Sequence, residues 1–314
     1  MGWTENDVPD QSGRIALVTG ANSGLGFHVS RVLAHQGARV LMACRNPVKG
    51  REALARVREA VPEAEVELLD LDLADLASVR TAADETRRRV ERIDLLFNNA
   101  GVMAVPRQET VDGFETQLAT NHLGHFALTG LLLPQLLAAP RARVVSTSSS
   151  AHRMGRMAFG DLMGERRYTR WGAYGQSKLA NLLFTFELQR RFAASRVPLQ
   201  AMAAHPGYAA TNLQSGFVLQ GVPLVGPVVG AVFGMLNKAV AQSDREGALP
   251  LLMAGTWAQA EDGDYFGPQG RFGARGAPGR TGTSDAARDE AAQRRLWTVS
   301  EELTGVTYDV LASA

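Results

Sequence analysis

The chain has 314 residues, with 33 Lys and Arg against 32 Asp and Glu, and a formal net charge of +1. So even a balance lacks the basic footprint of a nucleic-acid binder. Cys44 is the single cysteine, which excludes an internal disulfide framework and a cysteine-built metal site and fits a reducing cytoplasm.

Residues 1–13 form a polar lead-in with no basic start followed by an apolar run, so no secretory signal is expected. Arg14 to Thr19 reads as a short buried strand. It runs into Gly20-Ala21-Asn22-Ser23-Gly24-Leu25-Gly26 and then a helical pattern through Val29, Val32 and Leu33. A strand, a glycine turn and a helix N-terminus together present backbone N–H groups to a pyrophosphate. A second strand, Arg39 to Cys44, ends in Arg45-Asn46. An NAD site usually carries an acid there for the ribose 2′-hydroxyl. Arg45 instead offers a fork suited to a 2′-phosphate, so NADP(H) is the preferred cofactor and NAD(H) the alternative.

The alternation continues with a helix from Val48 to Ala60 and a strand over 65–69 ending in Asp70-Leu71-Asp72-Leu73. A helix from Asp75 to Val90 and a strand over 93–97 follow, the strand ending in Asn98-Asn99-Ala100-Gly101. Asp112 to Leu137 reads as long and largely helical, with Asn121-His122-Leu123-Gly124-His125 in the middle. Arg143 to Thr147 is a fifth strand, followed by Ser148-Ser149-Ser150 and a polar loop of some two dozen residues. Leu199 to Ala204 is a sixth strand ending in His205-Pro206-Gly207. Gly263 to Phe266 is a candidate last strand, 267–283 reads as loop, and Asp285 to Leu303 as a final amphipathic helix. Strict alternation implies a Rossmann-type, doubly wound parallel α/β sheet of about seven strands, helices on both faces, in a single domain. Its expected bounds are 14–270, with 271–314 as a C-terminal loop and helix. Ligands bind beyond the carboxyl ends of such strands.

Tyr174 and Lys178 stand four residues apart in a helical pattern, so their side chains share a face. An ammonium roughly 5 Å from a phenol favours the phenolate by about 3 kcal/mol, or roughly two pK units, at an effective dielectric near 20. That shift brings a phenol within reach of proton transfer near neutrality. The histidines lack partners at metal-ligand spacing and read as structural; no metal is expected.

These residues resemble, in order, the short-chain dehydrogenase/reductases: Thr19-Gly20-x-x-x-Gly24-x-Gly26, Asn98-Asn99-Ala100-Gly101, Asn121, Ser149, Tyr174-x-x-x-Lys178, and Pro206-Gly207 with Thr211. Ala43-Cys44-Arg45-Asn46, Asn121-His122-Leu123-Gly124-His125-Phe126 and Ser177-Lys178-Leu179-Ala180-Asn181 look like the branch of retinol dehydrogenases, WW-domain oxidoreductase and protochlorophyllide reductases. The resemblance implies that Tyr174 gives or takes the proton, Lys178 lowers its pKa and holds the nicotinamide ribose, and Asn121 helps hold a water relay behind Lys178. It implies that Ser149 binds the substrate oxygen, with its neighbouring serines as the alternatives. It puts Gly20, Ser23, Gly24, Leu25 and Gly26 around the pyrophosphate and Asp72 and Leu73 at the adenine. Asn99, Ala100 and Gly101 go to the adenosine ribose, and Pro206, Gly207 and Thr211 to the nicotinamide. It also carries the option of a homo-oligomer paired through the helices of Asn121 and Tyr174.

The resulting expectation is an NADP(H)-dependent oxidoreductase interconverting an apolar aldehyde or ketone and its alcohol. A non-catalytic NADP(H)-binding regulator is the rival. Residues 212–237 carry no charge, but Pro223, Pro227 and five glycines break a continuous helix, so no transmembrane span is expected. Their place just after Thr211 suggests an apolar substrate lid over 212–245.

Overall fold

The computed structural model describes residues 2–207, 242–270 and 273–311. Eight strands form one sheet in the order β3-β2-β1-β4-β5-β6-β7-β8. They are β1 Ile15–Thr19, β2 Arg39–Cys44, β3 Val66–Asp70, β4 Leu95–Asn98, β5 Arg143–Thr147, β6 Gln200–Ala204, β7 Tyr265–Pro268 and β8 Pro278–Arg280. The first seven pair in parallel and β8 pairs antiparallel with β7. The strands are apolar on both sides, as Ala16, Leu17 and Val18 of β1 illustrate, each wholly buried. Such strands need a helical layer on each face.

One layer consists of α1 (Gly24–His35), α2 (Pro47–Ala60) and the helix Asp244–Thr256, packed through Phe27, Val32, Leu33, Val57, Leu251 and Leu252. The other holds α3 (Leu76–Arg89), the Asn121 segment, the helix Arg170–Ala194 and the C-terminal helix Glu290–Thr304. Phe126 anchors this second layer, with ring centroids of Phe184, Trp297 and Tyr308 at 5.6, 5.2 and 5.0 Å. Each such aromatic pair contributes about 0.5–1.5 kcal/mol beyond area burial. The sheet order reverses between β1 and β4, which opens a crevice at the carboxyl ends of the strands.

The stretch over 112–137 is largely helical, in pieces: a π-turn over Ala119–Leu123 carries Asn121, the helix Gly124–Leu131 follows, and Pro134 sits in the first turn of a separate Leu133–Leu137. Three expectations change. The loop over 267–283 contains β8. The final helix divides at Asp289, whose side chain caps Glu290–Thr304 by accepting from the Ala292 N–H. The far end of the expected lid, 243–245, opens a core helix instead: Ser243 and Glu246 form a reciprocal capping box. Residues 212–241 of that lid lie outside the described residues. Among the described residues, no helix is long and apolar enough to cross a membrane.

The lead-in is docked. Val8 and Gln11 are buried, and Glu5 pairs with Arg31 and Arg245.

Candidate active site

A cleft of about 600 Å³ lies at the crevice. After β1 it is lined by Gly20, Ser23, Gly24 and Leu25. Gly20 and Gly24 adopt φ of +67° and +55°, which a side chain would strain. Gly26 stands behind the cleft: a Cβ there would come within 2.4 Å of the Gly20 carbonyl oxygen, so only glycine lets α1 pack this close. Ser23 is the N-cap of α1 and makes no side-chain cap bond, which leaves first-turn N–H groups facing the cleft.

Arg45 lines the cleft after β2, and Asp72 and Leu73 line it after β3. The Arg45 side chain is 70% exposed, with Nη1 3.9 Å from Asp72 Oδ2. After β4, Asn99, Ala100 and Gly101 join the lining. Their turn is held by Thr19, whose Oγ1 accepts the Asn99 and Ala100 N–H groups at 2.9 Å each. Pro206 and Gly207 close the far end after β6. Thr211 lies outside the described residues.

Ser149, Tyr174 and Lys178 meet on the other wall. The helix Arg170–Ala194 buries nearly its whole middle, Tyr174 and Lys178 included. Of the three serines, Ser148 is fully buried and donates to the Lys178 carbonyl oxygen at 2.8 Å, and Ser150 is exposed at the start of a 3-10 turn. Of the three, Ser149 is the one that lowers the pKa of the Tyr174 phenol, and both side chains line the cleft. Lys178 Nζ donates to the Thr147 carbonyl oxygen at 3.1 Å and stands 5.7 Å from the Tyr174 ring centroid.

The charges differ from the expectation. Burial pushes the Tyr174 phenol up to about 12, opposed by the neighbouring Ser149 side chain rather than by Lys178. The same burial lowers Lys178 to about 8, so the ammonium itself is disfavoured here and its pull on the phenol is weakened.

Asn121 does not line the cleft. Its Oδ1 accepts from the Val102 N–H at 2.8 Å, and its Nδ2 donates to the Val102 carbonyl at 2.9 Å and to Ser177 Oγ at 2.8 Å. The side chain is a brace between the turn after β4 and the Tyr174 helix, with its amide spent on protein partners. Gly124 lets the same segment pack against the loop after β3: a Cβ would meet the Leu73 carbonyl oxygen at 2.3 Å. His122 bonds Ser300 Oγ at 2.8 Å, and His205 accepts the Gly207 N–H at 3.2 Å. Among the described residues no cluster suited to a metal occurs.

Sequence reasoning missed Met103, Thr147, Met154 and Trp171, all of which line the cleft. Thr147 had a legible signal, its place at the carboxyl end of β5. Met154 and Trp171 come from the long loop and its exit, where no periodicity points inward.

The cleft fits a dinucleotide. Besides the open N-terminus of α1, Asn99 Oδ1 and Thr147 Oγ1 are buried without hydrogen-bond partners, and both residues line the cleft. Groups of this kind are held for a ligand or water.

Comparison with known proteins agrees. A family model described as short chain dehydrogenase matches residues 14–219. Retinol dehydrogenase 12 of Mus musculus is 38% identical over 95% of this chain and 88% of its own length. Polyprenol dehydrogenase of Mus musculus is 39% identical over 95% of this chain and 86% of its own length. A crystal structure of an uncharacterized protein from Mycobacterium paratuberculosis superposes with a TM-score of 0.79 at 45% identity, covering 98% of this chain and 99% of that one.

Proposed function

The chain belongs to the short chain dehydrogenase family, and from that premise we propose that it is an NADP(H)-dependent oxidoreductase interconverting an apolar aldehyde or ketone and its alcohol. The observation that carries the proposal is the meeting of Ser149, Tyr174 and Lys178 on one wall of a cleft whose other wall is a phosphate-type glycine turn.

When bound, the nicotinamide supplies or accepts the hydride. The chain does the rest. Ser149 Oγ holds the substrate oxygen next to Tyr174 Oη. A phenol kept near 12 carries its proton at neutral pH and donates it to the oxygen as negative charge develops there. Lys178, buried and tied to Thr147, stands beside the ring and steadies the phenolate that remains. Carbonyl, hydride and proton then balance to an alcohol. In oxidation the phenolate takes the proton back.

Arg45 supports the preference for NADP(H), since it is a cation just after β2 on the cleft, suited to a ribose 2′-phosphate. Asp72 supports the adenine side. The apolar substrate is supported by Met103, Met154 and Trp171 on the open side of the cleft. The single cysteine supports a cytoplasmic location.

Following NADPH absorbance across a panel of aldehydes and ketones tests the reading. Turnover should favour cyclic or long apolar carbonyls. Trp171→Ala should raise KM for the preferred one by roughly tenfold, the worth of about 1–1.5 kcal/mol of aromatic contact. NADPH binding without turnover on any member would favour the regulator, and better kcat/KM for small hydrophilic aldehydes would sink the apolar assignment.

A further inference from the structure

Buried polar groups behind the two walls of the cleft converge on one imidazole that the mechanism above does not use. His125 is 2% exposed and lies one helical turn after Asn121. Its Nδ1 is 3.1 Å from the Asn121 backbone carbonyl oxygen and its Nε2 is 2.8 Å from Thr19 Oγ1. A carbonyl can only accept, so Nδ1 carries the proton. A neutral imidazole has one N–H, so Nε2 is bare and accepts from the Thr19 hydroxyl. Thr19 Oγ1 already accepts two backbone N–H groups, from Asn99 and Ala100. Its own proton is therefore free to go to the ring. That contact is shorter than the 3.2 Å to the Phe97 carbonyl, the other acceptor in reach.

Every donor and acceptor in this set is matched, in one orientation only. The bonds run from the Asn99-Ala100 turn, through Thr19 and the ring, to the peptide of Asn121. His122 offers a contrast three residues earlier: its Nε2 bonds Ser300 while its Nδ1 has no partner. Burial and the nearby Lys178 charge push His125 down to about 4, so the ring stays neutral at ordinary pH and the arrangement is stable.

We propose that His125 is a positioning residue that ties the Asn121 peptide, behind the catalytic wall, to the Asn99-Ala100 turn, on the cofactor wall. The proposal rests on the NADP(H)-dependent reading above. Its consequence is that the two nitrogens serve different steps. The Nε2 side sets the turn that meets the cofactor. The Nδ1 side sets the segment that braces the Tyr174 helix through Ser177.

Two conservative variants separate these roles. H125N keeps a donor near Nδ1 and drops the Thr19 link, so it should weaken NADPH binding about tenfold with the smaller effect on kcat. H125Q keeps a polar group near Nε2 and drops the Asn121 link, so it should cut kcat about tenfold with the smaller effect on NADPH affinity. Tenfold is the usual worth of one buried hydrogen bond. If both variants move the two quantities in parallel, or neither moves, His125 is mere packing and the proposal fails. Imidazole NMR on isotope-labelled protein supplies a readout free of cofactor and substrate, with the ring assigned through its contacts to Thr19. It should show His125 neutral with the proton on Nδ1, and a proton on Nε2 would overturn the proposal. A wild-type chain that bound no NADPH would sink the functional reading instead and leave the tautomer result standing.

Discussion

The two walls of the cleft are built on opposite principles. The cofactor wall is mostly main chain: glycines at φ of +67° and +55°, the first N–H groups of α1, and a turn pinned by Thr19. The catalytic wall is buried side chains on one helix, where Tyr174 and Lys178 are 7% and 4% exposed. Binding spread over many backbone groups tolerates the loss of any one side chain. Chemistry concentrated on a phenol does not. Burial also makes the catalytic wall costly to fold, because it holds an ionisable amine out of water.

The largest expected effect tests that concentration. Tyr174→Phe keeps the ring and its packing against Trp171, 5.9 Å away. It should lower kcat at least about a hundredfold, the worth of a general acid, while a fluorescence titration finds NADPH binding intact. Near-normal turnover would mean that the proton comes from elsewhere.

The next prediction turns the cost of the catalytic wall into a measurement. Lys178 falls from 10.5 to about 8 through burial. Between those values the unfolded chain binds a proton that the folded chain does not, so stability from this group rises with pH across that window. Lys178→Met removes the charge. The Thr147 carbonyl it leaves still accepts from Asn181 Nδ2 at 2.9 Å. The variant should be inactive yet more resistant to urea by about 3 kcal/mol below pH 8. The gain should shrink as pH rises through 8 and vanish above about 10.5. A variant less stable than wild type at neutral pH would show that Lys178 is compensated by partners of its own.

The smallest effect belongs to the cofactor wall. Arg45→Ala should cost roughly 1.5–3 kcal/mol of NADPH affinity, the scale of charge-assisted contacts, and leave NADH affinity nearly unchanged. Equal losses would assign Arg45 to shaping its loop with Asp72.

The walls also differed in legibility. The glycine turn, Arg45 and Asn99-Ala100-Gly101 were readable because each follows an apolar run short enough to be a buried strand. The four-residue spacing of Tyr174 and Lys178 gave only a shared helix face; their roles came with the family resemblance. β8 escaped notice because three residues, Pro278-Gly279-Arg280, carry no alternation, and their pairing depends on β7 reaching them. The π-turn at Asn121 escaped notice because helical periodicity hardly changes over five residues.

Local pattern by itself determined the alternating elements and the order of the polar clusters at the strand ends. These depend on apolar period and on residues close in sequence. Only the tertiary structure decided that Ser149 rather than Ser148 meets Tyr174, that Asn121 is a brace, and that the phenol sits near 12 instead of being drawn towards neutrality. Each of these depends on distance and burial between segments far apart in the chain. A pair of charges on one helix face says nothing about how much water the rest of the fold removes from around them.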